Sequence, residues 1–400
     1  MSDVCDLAIV GGGLVGASLA VALADTPLRI TLIEAAPLPA TAPAWDERCI
    51  ALNDGSRQIF SRLGVWETLA PQAAPITATH ISERGRFGVT RFNAAEAGLP
   101  ALGYNTPMRA LGAALMARAA AQPRLRLLCP ERLEGLSLRA DGVELQLASG
   151  DTVRAQLLVA ADGAGSAVRA LLGLQAERRD YQQTALVTAV RVQRDPAGVA
   201  YERFTPEGPF ALLPKPGPAD ADGHPCSLIW TLPSERAERL RELPEAEFLA
   251  LAEDCFGERL GRFRALGRRL AYPLQRSLAE QLTAPGVVFC GNAAQSLHPV
   301  AAQGFNLGLR DVATLAASLR AAVSEGGALA DPARLATYVQ AREQDRRRTA
   351  DFTDQLVRLF SNRLPLLSGL RHLGLLALDL TPPLKDAVLR QNLGHRGLAA

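Results

Sequence analysis

A continuous apolar run, Leu7 to Val10, and a second, mainly apolar one, Ile30 to Ile33, flank a glycine-rich stretch and a run of small residues, Ala17 to Ala24. Apolar runs of this length mark parallel strands buried on both faces, and the small residues between them favour a helix, so the chain opens as a βαβ unit. A helix with its cap region near Ser56 carries Ile59, Phe60 and Leu63 and stops at Gly64; another spans Leu111 to Ala121. Arg124 to Ala148 alternates between turns at Asp141-Gly142 and Gly150-Asp151, which predicts an antiparallel meander. Val153 to Ala160 is again a buried strand and ends at Asp162-Gly163. Ala185 to Leu232 reads as strands punctuated by Pro and Gly, and Glu235 to Phe263 as helix. Val287 to Cys290 is a strand, a helix begins near Leu307, and further helices cover Arg334 to Phe360 and the C-terminal tail.

The α/β pattern lies on both sides of the central strands, so the main domain is expected to be discontinuous. The expected fold class is α/β, α+β overall. Residues 1–75, 100–180 and 275–360 form the nucleotide-binding domain, 76–99 and 181–274 an inserted antiparallel-sheet substrate domain, and 361–400 a C-terminal helical tail.

A chain of 400 residues fits one large or two smaller domains. The net charge of +2, from 43 basic and 41 acidic residues, leaves no electrostatic footprint for nucleic acid. The six cysteines, at 5, 49, 129, 226, 255 and 290, form no C-x-x-C pair and have no histidine cluster beside them. Reduced thiols in a reducing, cytoplasmic compartment and no metal site are expected. No basic region precedes the first apolar stretch, which argues against a signal peptide. The most apolar late segment, Leu364 to Leu380, is interrupted by Arg371, His372 and Asp379 and is short for a membrane span.

Three loops carry the chemistry. In Gly11-Gly12-Gly13-Leu14-Val15-Gly16, Gly11 permits the strand-to-helix turn, Gly13 lets backbone approach a pyrophosphate, and Gly16 lets helix pack on strand. The helix start offers unpaired N–H groups to phosphate. Glu34, at the end of the second strand, can accept from both ribose hydroxyls of an adenosine. In the second loop, Asp162-Gly163-Ala164-Gly165-Ser166, Asp162 is placed to orient a cofactor and Arg169 to bond backbone carbonyls. The third runs from Gly291-Asn292-Ala293 through His298-Pro299 to Gly304-Phe305-Asn306. There Asn292 can bond a ribityl hydroxyl, the Ala293 N–H a phosphate, and the N–H groups at 304–306 the anionic edge of a reduced flavin. A second small-residue loop so far from the first identifies the dinucleotide as FAD. His298 is either a proton donor or a structural histidine before proline. Arg48 is either a surface arginine or, given the apolar residues after it, a cofactor contact in a buried site.

These loops, in this order and spacing, resemble the single-component FAD-dependent aromatic hydroxylases, the p-hydroxybenzoate hydroxylase class, over nearly the whole chain. Arg48-Cys49-Ile50-Ala51-Leu52, Glu202-Arg203-Phe204-Thr205, Ala271-Tyr272-Pro273-Leu274 and Gly291-Asn292-Ala293-Ala294-Gln295 are similar to the ubiquinone-biosynthesis branch. The resemblance implies a Rossmann-like FAD-binding domain and NADH or NADPH as co-substrate. It also implies that a C4a-hydroperoxyflavin passes one oxygen atom of O2 to the ring of a polyprenylated phenol. Phe204, Phe210, Leu213 and Trp230 then become candidates for the substrate pocket wall, or ordinary core. The membrane-dissolved substrate implies a protein peripheral on the inner face of the cell membrane. The C-terminal tail would touch bilayer or biosynthetic complex, or pack on its own domain. Two positions depart from the class: Asn292 where Asp is usual, and Ala302 where Gly is usual. Where relatives place a polar residue near the flavin, the chain has Met108 or Arg109. A flavin-dependent isoprenoid reductase and a non-catalytic flavin-binding subunit of a complex are the alternatives.

Overall fold

A computed structural model describes residues 2–37, 45–360, 374 and 377–395. Elements are numbered in chain order. The chain begins with β1 (Ser2–Val10), α1 (Leu14–Ala22) and β2 (Ile30–Ile33), followed by β3 (Cys49–Asn53), α2 (Asp54–Arg62), α3 (Trp66–Leu69) and β4 (Ala74–Ile76). Then come β5 (Ala78–Glu83), β6 (Val89–Asn93), β7 (Gly103–Pro107) and α4 (Met108–Ala120). Strands β8 (Leu125–Leu128), β9 (Leu133–Arg139), β10 (Gly142–Leu147) and β11 (Thr152–Ala160) precede α5 (Ala167–Leu171). The middle of the chain supplies β12 (Ala176–Val192), β13 (Val199–Thr205), β14 (Gly208–Pro214), β15 (His224–Pro233), α6 (Ser234–Glu242) and α7 (Glu245–Phe256). The last part holds β16 (Phe263–Leu266), β17 (Leu270–Ala279), β18 (Thr283–Ala284), β19 (Val287–Phe289), β20 (Gln295–Ser296), α8 (Gln303–Glu325), α9 (Pro332–Phe360) and α10 (Pro382–Leu393).

An eight-stranded sheet runs β18-β19-β11-β1-β2-β8, with β10 and β9 added at β11. From β19 to β8 its strands are parallel. Strand β1 is covered on both faces, which is why it reads as an unbroken apolar run. Leu7 and Ile9 pack with α1, α4 and α8 residues such as Leu19, Leu111 and Leu315. Ala8 and Val10 pack with Leu145, Leu158 and Phe289. Strand β8 corrects the expected meander: it lies parallel beside β2 at the sheet edge, and only β9 and β10 form the antiparallel hairpin. The expected helix at 235–263 is likewise divided: α6 ends at Glu242 before Leu243-Pro244, α7 ends at Phe256, and Phe263 begins β16.

A nine-stranded sheet runs β20-β17-β12-β15-β14-β13-β5-β6, with β16 on β12. It is antiparallel except at β13–β5. Helices α6 and α7 cover one face through Leu186, Phe210, Trp230, Phe248 and Phe256. A small sheet, β3-β7-β4, completes the fold. Most of Leu364 to Leu380, and so most of the stretch singled out for membrane contact, lies outside the described residues. Helix α10 is docked on the fold: Leu389 and Leu393 pack with Phe92, Ala94 and Leu102, and the His395 ring meets Asp54 at 2.8 Å.

Candidate active site

Strands β19, β11, β1 and β2 pair in register at their carboxyl ends: Phe289 with Ala160, Ala160 with Val10, Val10 with Ile33. The segments that follow, at Gly291, Asp162, Gly11 and Glu34, therefore leave one edge of the sheet side by side. Ligands bind outside such an edge in open α/β sheets.

Gly11 holds φ +101°, and a methyl group there would stand 2.4 Å from the Ala161 carbonyl oxygen. A Cβ on Gly16 would stand 1.9 Å from the Gly11 carbonyl oxygen, so helix α1 rests directly on the turn. Gly13, the residue before α1, differs: among the described residues nothing lies within 4 Å of where its Cβ would be. Among the described residues no side chain caps α1, so its first N–H groups remain available to an anion. Glu34 is oriented by backbone: Oε2 accepts from the Gly12 N–H at 2.6 Å and Oε1 from the Ala36 N–H at 2.7 Å. A carboxylate keeps further lone pairs for ribose hydroxyls.

Asp162 accepts from the Val168 N–H through Oδ2 at 3.1 Å, while its buried Oδ1 has no partner among the described residues. Ser166 caps α5 through the Arg169 N–H at 3.1 Å. The buried Arg169 guanidinium donates to the carbonyls of Ala293 and Ala164, each at 2.7 Å, and so ties the Asp162 loop to the Gly291 loop. Burial, then the nearby Arg178, lowers its pKa. Asn292 is exposed, whereas Ala293 is fully buried.

A buried charge network that the motifs did not reveal anchors the third loop. Asp311 on α8 accepts from the Gly291 N–H at 3.1 Å and from Gln295 Nε2 at 2.5 Å. Arg342 on α9 donates to Asp311 at 2.7 Å and lies 2.8 Å from Asp345, which also holds Arg310 at 2.8 Å. Burial opposes ionisation of Asp345, but the two guanidiniums outweigh it and hold its carboxyl below the usual range. The signal for this network was the charged pair Arg310-Asp311 within an otherwise apolar helix segment.

Helix α8 starts at Gln303, earlier than expected. Ala302, the residue before it, holds φ +49°, a left-handed conformation that glycine adopts more easily. The first turn, including Gly304 and Phe305, faces a cavity of about 1030 Å³. The Phe305 ring stacks on Phe60 at 6.3 Å, which leaves its backbone to face the opening. The side chain of Asn306 has a structural task beside the backbone N–H expected of this residue. Its buried side chain accepts from the Asn53 N–H and Ser56 hydroxyl and donates to the carbonyls of Ala51 and Ala302. It clamps the loop and offers nothing to a ligand from its side chain.

The pleat of the second sheet decides what else lines the cavity. Its inner face presents Ala200, Glu202 and Phe204 from β13, Pro209, Ala211 and Leu213 from β14, and Ile229 and Thr231 from β15. Phe204 and Leu213 thus lie in the wall. Phe210 and Trp230 do not: they alternate to the opposite face and pack edge to face 5.1 Å apart beneath α6 and α7. Arg48 lines the cavity but is exposed rather than buried, stacked 5.3 Å over the Tyr272 ring and donating to its hydroxyl. Met108 lines the cavity, whereas Arg109 is paired to Glu47 at 2.9 Å. His298 is buried outside the wall, edge-on to Tyr181, with Nδ1 accepting from the Val300 N–H. Burial lowers its pKa to about 4, so it is neutral near pH 7 and poorly suited to donate a proton. Gly11, Gly13, Gly16, Glu34 and Asp162 lie outside the cavity wall, at the adjoining sheet edge.

The model of the family described as FAD binding domain matches residues 4–353. Ubiquinone hydroxylase UbiL of Rhodospirillum rubrum is 38% identical over 98% of this chain and 90% of its own length. The 3-demethoxyubiquinol 3-hydroxylase of Escherichia coli is 36% identical over 97% of this chain and 98% of its own. Among solved structures, p-nitrophenol 4-monooxygenase PnpA from Pseudomonas putida superposes with a TM-score of 0.80. It covers 99% of this chain and 100% of its own at 18% identity, a likeness of fold alone.

Proposed function

The chain belongs to the FAD binding domain family, and from that membership we propose an FAD-dependent, NAD(P)H-consuming monooxygenase that hydroxylates the ring of a polyprenylated phenol in ubiquinone biosynthesis. The observation that carries this reading is the junction of a dinucleotide-type sheet edge with a large, mainly apolar cavity entered by the third loop. The two relatives named as ubiquinone hydroxylases support the substrate class. Within that branch, the sequence motifs are most like those of 2-octaprenyl-6-methoxyphenol hydroxylase.

The residues fit FAD. Open space at Gly13, the uncapped start of α1 and the orphaned Asp162 Oδ1 are features that a bound nucleotide would use. In this reading Gly11 to Gly16 and α1 hold the pyrophosphate, Glu34 the adenosine ribose, and Asp162 and Asn292 the ribityl chain. The first-turn N–H groups of α8, at Gly304 and Phe305, stabilise negative charge on the ring edge. When bound, FAD supplies the electron transfer from NAD(P)H and the activation of O2. The chain's own part is to orient the phenol ring between Phe204, Leu213 and the α8 start and to exclude water from it. A cavity of this volume, at the top of the usual range for small-molecule sites, has room for a ring and the first part of a prenyl chain.

Among the described residues, no helix is long and apolar enough to cross a membrane. Leu378 and Leu384 line the cavity, and Leu380 and Leu384 are 78% and 50% exposed, so this edge is the proposed point of contact with a bilayer or complex. The test is turnover of purified, FAD-loaded protein with NADH or NADPH and a prenylated phenol. Oxygen consumption with gain of one oxygen atom on the ring supports the hydroxylase. A product that gains only two hydrogens without O2 use indicates a reductase, and no NAD(P)H oxidation with any precursor indicates a non-catalytic subunit.

A further inference from the structure

Glu202 is placed where neither cofactor binding nor packing accounts for it. It lies mid-way along β13, on the face that also gives the cavity Ala200 and Phe204. Its cross-strand neighbours, Ile81 on β5 and Ala211 on β14, are both apolar cavity-wall residues. Among the described residues no hydrogen-bond donor or cation meets its carboxyl group. The ionisable groups lining the same space are Asp46, Glu47, Arg48, Cys49, Tyr201, Arg268 and Tyr272, with Glu83 further along β5. Arg48 is engaged with Tyr272, Glu47 with Arg109, and Asp46 with the Arg268 N–H. Burial alone pushes the Glu202 pKa up to about 7. Glu202 is half-buried, so its carboxyl opens to the cavity, and a ligand that fills this space must supply its partner in place of water.

Resting on the hydroxylase reading, we infer that Glu202 is the proton acceptor for the phenolic hydroxyl of the substrate. The phenol O–H bond breaks, the proton bonds to a Glu202 carboxylate oxygen, and the electron pair stays on the phenolate oxygen. That pair enriches the ring carbons ortho and para to it, where an electrophilic oxygen adds. The C–H bond at the attacked carbon breaks and its hydrogen leaves as a proton with the second oxygen atom, which departs as water; on product release the proton on the carboxyl group returns to the phenolic oxygen. A carboxyl group titrating near neutrality is matched to this task, whereas one at its ordinary value would hold the proton too weakly.

The test uses FAD-loaded wild-type and Glu202→Gln enzymes, with 2-geranylphenol as the probe. Without reductant, the ultraviolet difference band of the bound phenolate is followed against pH. A free phenol ionises near pH 10, about the value for tyrosine. Wild type is expected to ionise the bound phenol in the neutral range. Glu202→Gln should bind the phenol, lose the band there, and hydroxylate about 100-fold more slowly at unchanged FAD content. Glu202→Asp, with its carboxyl retracted, should restore part of the band. If Glu202→Gln fails to load FAD, the wild-type titration decides: a bound phenol that ionises at its free value overturns the proposal. A Glu202→Gln enzyme that ionises and hydroxylates like wild type overturns it while leaving the hydroxylase reading intact. A wild type that neither binds the phenol nor inserts oxygen overturns both.

Discussion

Gly13→Ala separates the cofactor site from the fold. Gly13 sits at φ −64°, ψ −174°, a conformation open to alanine, and no atom of the described residues lies within 4 Å of the added methyl. The apo protein should therefore gain about 0.4–1 kcal/mol through the reduced entropy of its unfolded chain. The same methyl occupies the space through which a pyrophosphate must approach the N–H groups of α1. Losing one or two hydrogen bonds to a charged group costs about 3 kcal/mol, or roughly 100-fold in Kd. Flavin fluorescence titration reads the second effect, and urea unfolding of the apo protein reads the first. Gly16→Ala is the contrast: its Cβ would stand 1.9 Å from the Gly11 carbonyl oxygen, so it should destabilise the apo protein by about 1–3 kcal/mol. A Gly13→Ala protein that binds FAD as tightly as wild type would refute the assignment of this loop.

Arg342→Met leaves the Asp311 carboxylate buried without its guanidinium and should cost about 3–5 kcal/mol in urea unfolding. It should also weaken FAD binding, because Asp311 holds the Gly291 loop; unchanged stability would remove the network from the explanation. Burial lowers His298 and His80 to about 4, with Arg259, Arg91 and Arg203 adding to the effect at His80. Their contribution is complete above about pH 6.5 and lost as pH falls towards 4, whereas that of Glu202, raised to about 7, is complete below about pH 4.5 and lost as pH rises to 7. The unfolded chain thus binds a net one proton more between about pH 4.5 and 6.5, so these groups should raise stability by about 1.4 kcal/mol per pH unit. Glu202→Gln should roughly double that slope in pH-resolved unfolding, and an unchanged slope would contradict the sign. Burial raises the Cys226 and Cys255 thiols to about 12 and Cys290 higher still, so mass spectrometry after iodoacetamide should find these three unlabelled in the folded protein and labelled after unfolding.

The parallel strands and the three loops were legible because both faces of β1 are buried and because close backbone approach selects glycine. Strand β8 was misread because four residues of mixed burial look the same in a meander and at a parallel edge. Of the four candidates for the pocket wall, Phe204 and Leu213 line the cavity and Phe210 and Trp230 take the alternative of ordinary core, for a different reason. On β14 and β15, Phe210, Leu212 and Trp230 are large, and the alternating positions include Pro209, Ala211, Ser227 and Thr231. A cavity needs the smaller face, so the large aromatics fill the opposite one; the phase of the alternation carried that information and residue size alone did not. Glu202 lies on the same small face, a charged position among apolar ones. Asp311 and Arg342 are 31 residues apart on successive helices, and nothing in the pattern of either helix announces that they meet.

Hydrogen exchange measured with and without FAD tests most directly whether one flavin joins the distant loops. Peptides covering 11–17 and 303–307 should both slow on adding FAD, in the same concentration range, because one molecule meets the helix starts at Gly13 and Gly304. Protection of 11–17 alone, with 303–307 unchanged, would contradict a flavin whose ring reaches the cavity.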